Sequence, residues 1–558
     1  MINPMPRFTR EGVIPEVYGD ALSYYETLCK MGQKINEMIE EINNFVYEEP
    51  EKMQEYVDNW LALHPEATTT VEDNSLNWVK FTETLKLFTT GGFAIPQMYG
   101  AVGDGETDDT QAFADCFANN KCVVIPDGTY MIDVNSGIKP TSNSLIICSG
   151  NSVIKAITNA LTDYAIFDID NVSNVTIVNA HIVGDRETHT GTTGEWGHCV
   201  RIRKGYDITL FNCHIEQAWG DGVAIEPLDN TDSHTQVSDG VKIINCHIEY
   251  CRRQGISLIG ARNTTISNCE INNINGTAPM FAIDLETNYD DTPISNTSIL
   301  DCYMHDNYGG DVLVYRKHKN TVISNCKCNK IHNLSSEDEL NCSIRSCFVD
   351  DIYVTSPTYV NDCEIVSIYV NTNDCIVNNC IIYGLKSGST KYYIALHGND
   401  NLIDGCKFVK NDEVTEIIRI LTSAEDTVIN NCVFDVTTEA IINGGKNLTF
   451  SNNRVNYELD DTVAYLFNCD GGSFINNIID NVAEITDYIR CYASNDARKL
   501  NIIGNLIKGT AYTNLYHVYD TSSNTKVNVI NNNGTFTDFE KGSFSETENV
   551  QTENNFVL

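Results

Sequence analysis

The stretch Val241-Lys-Ile-Ile-Asn-Cys-His-Ile248 decides the fold. Apolar and polar residues alternate on both sides of its Asn-Cys pair, and a period of two means a strand with one buried face. The same frame surrounds Asn212-Cys213, Asn245-Cys246, Asn268-Cys269, Asp301-Cys302, Asn325-Cys326, Asp362-Cys363, Asn379-Cys380, Gly405-Cys406 and Asn431-Cys432, at intervals of 33, 23, 33, 24, 37, 17, 26 and 26 residues. It continues without the cysteine at Asn452-Asn453, Asn476-Asn477, Gly504-Asn505 and Asn531-Asn532. A strand that recurs every 20 to 40 residues or so, with variable insertions, marks a solenoid, and a β-only unit selects a parallel β-helix.

Stacking explains the pair. In an in-register pile of coils each residue sits about 4.8 Å above its counterpart, so equivalent positions form ladders. Cysteine suits a tight inward position and packs as a small hydrophobe. Asparagine tolerates a left-handed corner, and its amide can bond the amide one coil away. The cysteines are therefore expected to fill the core rather than bind metal. Only Cys326 and Cys328 approach the spacing of a zinc site.

With 76 acidic against 37 basic residues in 558, the net charge of -39 argues against nucleic-acid or membrane-surface binding. Twenty-one cysteines, with no apolar leader in Met1-Ile-Asn-Pro-Met-Pro-Arg7, suggest thiols and synthesis in a reducing cytoplasm. No run approaches the roughly 18 apolar residues that a membrane-spanning helix needs, so no membrane insertion is expected.

Four regions are expected: 1–47, an arm and coiled coil; 48–95, a helical neck; 96–539, the β-helix; and 540–558, a polar tail. Leu28, Met31, Ile35, Met38, Ile42 and Phe45 follow the 3,4 spacing of a heptad seam, with Glu and Lys between them. The segment Arg10-Glu-Gly-Val-Ile-Pro-Glu-Val-Tyr-Gly-Asp-Ala-Leu-Ser-Tyr-Tyr-Glu-Thr-Leu-Cys-Lys30, followed by Ile35-Asn-Glu-Met-Ile-Glu-Glu-Ile-Asn43, resembles the amino-terminal segment of tail fibres and tailspikes of phages of Gram-positive hosts. The resemblance implies attachment to tail or baseplate proteins through residues 1–47, homotrimer formation and a place on the virion tail.

Tyr99-Gly-Ala-Val-Gly-Asp-Gly-Glu-Thr-Asp-Asp-Thr-Gln-Ala-Phe113 and Val123-Val-Ile-Pro-Asp-Gly-Thr-Tyr130 are similar to the opening of pectate-lyase-like proteins, which include polygalacturonases and tailspike depolymerases. That resemblance implies an all-β solenoid, a right-handed single-stranded parallel β-helix. Its glycines permit tight turns, and Asp108 or Asp109 can cap a short helix from Thr110 that closes the end of the solenoid.

Candidate chemistry comes from aligning Trp196-Gly-His-Cys-Val-Arg-Ile-Arg203, Gly220-Asp-Gly-Val-Ala-Ile-Glu226, Arg252-Arg-Gln-Gly-Ile-Ser-Leu-Ile259 and Met280-Phe-Ala-Ile-Asp-Leu-Glu286 as successive coils. Val200, Val223, Ile256 and Ile283 then stack inward. Arg201, Ala224, Ser257 and Asp284 form one outward column, Arg203, Glu226, Ile259 and Glu286 a second, and His198, Asp221, Gln254 and Phe281 a third at the strand entrance. Asp221, Glu226, Asp284 and Glu286 are the acid and base candidates, since inverting glycoside hydrolysis wants carboxyl groups about 6.5 to 9.5 Å apart. One must keep its proton near neutral pH, and crowded like charges can supply that shift. Trp196 and Trp219 can stack on sugar faces, while His198, Arg201, Arg203, Arg252 and Arg253 can bind an acidic sugar or phosphate. Asp290-Asp291, Glu337-Asp-Glu339 and Asp460-Asp461 read as turn charges, and neither metal nor cofactor is expected.

Asp221-Gly-Val-Ala-Ile225 and Ala282-Ile-Asp-Leu-Glu-Thr-Asn288 also resemble family segments, with Thr287 in place of a proline. Paired aspartates, Gly-His-Gly and Arg-Ile-Lys of polygalacturonases are missing, as is the aspartate cluster of calcium-dependent lyases. The expectation is a tailspike that binds and cleaves a host surface polysaccharide, hydrolase before lyase. The alternatives are a non-enzymatic glycan adhesin and a structural appendage.

Overall fold

The computed structural model describes residues 93–558 apart from 229–235, 288–291, 336–341, 385–391, 411–415, 422–423, 437–439, 458–462, 482–483, 492–498, 519–525, 531, 539–540, 543–549, 554–555 and 558. The expected arm and coiled coil lie outside the described residues, as do the neck up to residue 92 and the acidic turns Asp290-Asp291, Glu337-Asp-Glu339 and Asp460-Asp461; Ala94, at the end of the neck, bridges in parallel to Val123. The described part is a parallel β-helix of short strands, with one helix of any length, Thr110–Asn119. No described helix is long and apolar enough to cross a membrane. Two compact units divide the chain, one reaching to Ile283 and including Asp306–Gly309, the other comprising Asp284–His305 and Gly310–Leu558.

The repeated pair makes the corners. Asn212, Asn245, Asn268, Asp301, Asn325, Asp362, Asn379, Asn431, Asn452 and Asn476 all have φ between 51° and 56°, and Gly405 and Gly504 have φ 64° and 68°. These are left-handed conformations, which asparagine and glycine adopt at least cost. The amides also ladder: Asn212 Nδ2 donates to Asn179 Oδ1 at 2.8 Å, and Asn245 Nδ2 to Asn212 Oδ1 at 2.7 Å. The 37-residue interval proves to be two coils, because Ser346-Cys347 makes a corner at φ 51° that the Asn/Asp/Gly pattern passes over. Nineteen cysteines are described as buried thiols.

In the first unit three ladders run side by side. Ser144–Cys148, Ser173–Val178, Tyr206–Phe211 and Lys242–Ile244 form one, with Ile146, Ile177, Leu210 and Ile243 stacked inward. Ser152–Ala156, His181–Val183, His214–Glu216, His247–Glu249 and Glu270–Asn272 form the second, centred on Ile154, Ile182, Ile215, Ile248 and Ile271. The third carries the site. At the end, Asp109 is buried, and its carbonyl accepts the Phe113 amide at 3.0 Å, but its side chain accepts no hydrogen bond from the helix. It holds the Val102 and Gly103 amides at 2.6 and 3.2 Å, and Asp108 accepts the Thr110 amide at 3.0 Å.

In the second unit a stack of Phe408, Phe434, Phe450, Phe467 and Phe474 fills the interior. Where the cysteines stop, buried Asn453, Asn477, Asn505 and Asn532 replace them. Each Oδ1 of Asn477, Asn505 and Asn532 accepts the backbone amide of the asparagine one coil earlier at 3.0 Å. Within 540–558, expected as a polar tail, Val550–Glu553 and Phe556–Val557 pair in parallel with Lys526–Ile530 and Asn533–Asp538.

Candidate functional site

Strands Asp163–Asp170, Trp196–Arg203, Val223–Glu226 and Ile256–Leu258 stack so that Phe167, Val200, Val223 and Ile256 point inward. On this register Asp168, Arg201, Ala224 and Ser257 form one column, and Asp170, Arg203 and Glu226 the next. The first is not the exposed face that alternation implied, because all four of its side chains are buried. Buried charge requires partners, and the preceding coil supplies them. Arg201 grips Asp168 with Nε and Nη2 at 2.9 and 3.1 Å and reaches Asp163 with Nη1, while Arg203 grips Asp170 in the same two-pronged way. Burial alone would lower the pKa of Arg201, but Asp168 and Asp163 outweigh it and raise it. These two arginines, expected to meet substrate, are satisfied by the chain itself. The signal was present as Asp168-x-Asp170, one 33-residue coil before Arg201-x-Arg203.

His198, Asp221 and Glu226 form one cluster. The Asp221 amide donates to His198 Nδ1 at 3.2 Å, which puts the proton of the neutral ring on Nε2, and Nε2 faces Glu226 Oε1 at 3.4 Å. The Asp221 carboxylate lies 3.7 Å from Nδ1 and accepts from Arg253 Nη1 at 2.9 and 3.2 Å. Arg253 Nε is 3.3 Å from Glu195. Gly220 permits the turn into Asp221: a Cβ there would stand 2.3 Å from the Glu195 carbonyl oxygen. Burial pushes the Glu226 pKa up, but His198, Arg201 and Arg203 together hold it below its ordinary value. Glu226 is thus a carboxylate ionised at neutral pH and partly open to solvent. Asp221 is fully buried. The like-charge crowding invoked to keep one of them protonated is replaced by pairing with cations.

Beside this cluster the turns after the second ladder stack as well. Arg252 follows Trp219, Asn275 follows Arg252 and Tyr308 follows Asn275, through amide bonds to Ala218, Cys251 and Ile274 carbonyls of 3.0, 3.2 and 3.0 Å. The Arg252 guanidinium lies 3.8 Å over the Trp219 ring, whose indole is also stacked on His189 at 4.0 Å. His189 in turn bonds Asp185 at 2.8 Å, and Asp185 accepts the hydroxyl of Tyr164. Trp219 therefore has no face to offer a sugar. Trp196 does, being 50% exposed beside Glu195 and paired in register with Asp163. Arg186, Asn275, Tyr250 and Tyr308 join this surface without having been expected. Arg186 donates to the Tyr250 carbonyl at 2.6 Å and to Asn275 Oδ1 at 2.7 Å, contacts spanning 64 and 89 residues. Tyr308 is 75% exposed. Asp284 and Glu286 belong to the second unit, and Asp284 is buried, so of that same-strand pair Glu286 alone reaches the surface.

The family model for a right-handed β-helix region matches residues 230–395, and the chain is a right-handed parallel β-helix. The uncharacterised protein YclG of Bacillus subtilis is 29% identical over 214 residues, 34% of this chain and 37% of that protein. The pre-neck appendage protein of Bacillus phage phi29 is 30% identical over 157 residues, 26% of this chain and 17% of that protein. The chain thus matches well under two thirds of the length of either relative. Among solved structures, phage phi29 gene product 12 in its pre-mature form aligns with a TM-score of 0.49 at 15% identity, over 83% of this chain and 73% of that one. The tailspike gp49 of Acinetobacter baumannii phage Fri1, a capsular polysaccharide depolymerase, aligns with a TM-score of 0.41 at 13% identity, over 65% and 64%.

Proposed function

We propose that this chain is a phage tail appendage protein that binds a host surface polysaccharide through the surface bearing Trp196, Glu195, Arg252, Tyr250 and Tyr308. The observation that carries the reading is the half-exposed Trp196 indole, next to Glu195 and in register with Asp163, on the segment where the Gly194 carbonyl accepts from Arg252 Nη1 at 2.8 Å. An exposed indole is costly to leave in water and suited to stacking on a sugar ring, while Arg252 suits an acidic substituent. The sequence likeness to the phi29 pre-neck appendage protein supports a place on a virion tail. Attachment through residues 1–47 and assembly as a homotrimer belong to the same reading, and sedimentation of the full chain tests the second.

Cleavage of the bound glycan is the further part of the proposal, favoured by Glu226. Its carboxylate is held ionised, reaches solvent and sits beside His198, as a general base that takes a proton from the attacking water would require, while the leaving sugar oxygen takes its proton from solvent. Asp221 serves beneath it to orient His198. The experiment incubates full-length protein with wall or capsule polysaccharide from Bacillus hosts and follows cosedimentation, new reducing ends and the ultraviolet absorbance of an unsaturated product. Binding lost in Trp196→Ala, with reducing ends lost but binding kept in Glu226→Gln, supports a hydrolase. Ultraviolet absorbance would make it a lyase, binding without products an adhesin, and no binding to any host glycan would overturn the proposal.

A further inference from the structure

The second ladder of the first unit carries a feature that glycan binding does not use. The tripeptide His-Ile-Glu occurs at His214–Glu216 and again one coil later at His247–Glu249, with His181 one coil earlier. The central isoleucines point inward, so the flanking histidines and glutamates point out and stack. His181 and His214 lie 4.5 Å apart with ring planes at 11°, and His214 and His247 lie 4.9 Å apart at 6°. The Glu249 carboxylate lies across the upper two rings, with Oε1 3.0 Å from His214 Nε2 and Oε2 3.7 Å from His247 Nε2. The ligand atoms of His214, His247 and Glu249 all lie within 4.8 Å of one another.

We propose that His214, His247 and Glu249 form a site for one divalent transition metal ion of the zinc class. Two imidazole nitrogens and a carboxylate oxygen are the ligands such ions favour, with room for a water in the fourth position. A tetrahedral ion with bonds of about 2.0 to 2.1 Å needs its ligands roughly 3.3 Å apart; Glu249 Oε1 is already 3.0 Å from His214 Nε2, so it is the two ring nitrogens that must close in, by about an ångström. The side chains can make that movement: His214 and His247 are 36% and 38% exposed, free to tilt toward each other about the Cβ–Cγ bond. His247 Nε2 already accepts from Asn272 Nδ2 at 3.0 Å, which requires the lone pair that a metal would take. His214, which donates from Nε2 to Glu249, moves its proton to Nδ1 on binding, so no net proton is released. The rigid coil spacing sets the separation of the histidines before any ion arrives. His181, His214 and Glu216 meet the same 4.8 Å limit one coil lower, but His214 can serve only one group, and the upper one is assigned because the Asn272 amide already holds the His247 Nε2 lone pair in place.

The test titrates full-length protein, without a histidine tag, with Co2+ followed by its visible d–d bands, then displaces it with Zn2+. Expected are one Co2+ per chain, at least tenfold weaker binding in His214→Ala and in His247→Ala, and unchanged binding in His181→Ala. Glu249→Gln, which keeps the shape of the side chain, should also weaken binding about tenfold and stands in if a histidine variant fails to fold. Unchanged affinity in His247→Ala or Glu249→Gln would overturn the assignment, as would no binding below about 1 mM. Strong near-ultraviolet charge-transfer bands, the mark of cysteine ligation, would overturn it too.

Discussion

Asp221→Asn separates a scaffold role from a catalytic one. The substitution keeps the shape of the side chain and leaves no cavity, so it isolates the charge. Asp221 is fully buried, and both its oxygens accept from Arg253 Nη1, at 2.9 and 3.2 Å. Breaking a buried ion pair costs about 3 to 5 kcal/mol, because the remaining charge stays desolvated. Glu195, 3.3 Å from Arg253 Nε and 46% exposed, compensates in part, which puts the expected loss near the lower limit, about 3 kcal/mol. Solenoid coils open locally, so the assay is hydrogen exchange of strands Trp196–Arg203 and Val223–Glu226, which should become about 100-fold faster. The double variant Asp221→Asn with Arg253→Met should recover most of that protection, since removing both partners leaves no orphaned charge. Protection within threefold of wild type, combined with lost release of reducing ends, would refute this reasoning and place Asp221 in the chemistry.

Three further outcomes are expected. Trp196→Ala should weaken polysaccharide binding about tenfold with only a small drop in thermal midpoint, because half of the indole already faces solvent, as isothermal titration calorimetry and a melting curve would show. Burial lowers the pKa of His318 to about 4, against about 6.5 unfolded, so the unfolded chain takes up the extra proton between those values. Stability is complete above pH 6.5 and falls by about 3 kcal/mol as the pH drops to 4; His318→Gln should flatten that slope in melts recorded across the window. Asn477→Ala should cost about 2 to 4 kcal/mol in urea unfolding, because it strands the Asn453 amide and the Phe450 carbonyl. Asn477→Cys should cost about half of that, since the Cys326 and Cys347 amides already donate to sulfur one coil on, at 3.4 Å.

Register was legible in the sequence for a reason particular to solenoids. Each coil repeats the same corner, so Val200, Val223 and Ile256 occupy matching places in the repeat and pair in space. The same regularity hid Ser346-Cys347, where serine takes the left-handed corner without matching the pattern. Exposure was the weak link. Alternation shows that Arg201, Ala224 and Ser257 point away from the core, yet a strand pattern carries no information about what lies over them, and all three are buried. Arg201 and Arg203 look ligand-binding in the sequence because their carboxylate partners, Asp168 and Asp170, sit one coil earlier, where a linear reading does not weigh them.

Sequence by itself determined the architecture: a parallel β-helix with buried thiols and left-handed asparagine corners, with a helix starting at Thr110. That information is local and periodic, and each corner needs only its own residues to be recognised. Tertiary structure alone decided which charges are neutralised and which surfaces remain open. Whether Trp219 is sandwiched by Arg252 and His189, or Trp196 left half exposed, depends on contacts between residues some 30 apart, made by turns of irregular length. The histidine ladder falls between the two. Its His-Ile-Glu spacing is plain in the chain, but the convergence of Glu249 on two stacked rings exists only once the coils are piled about 4.8 Å apart.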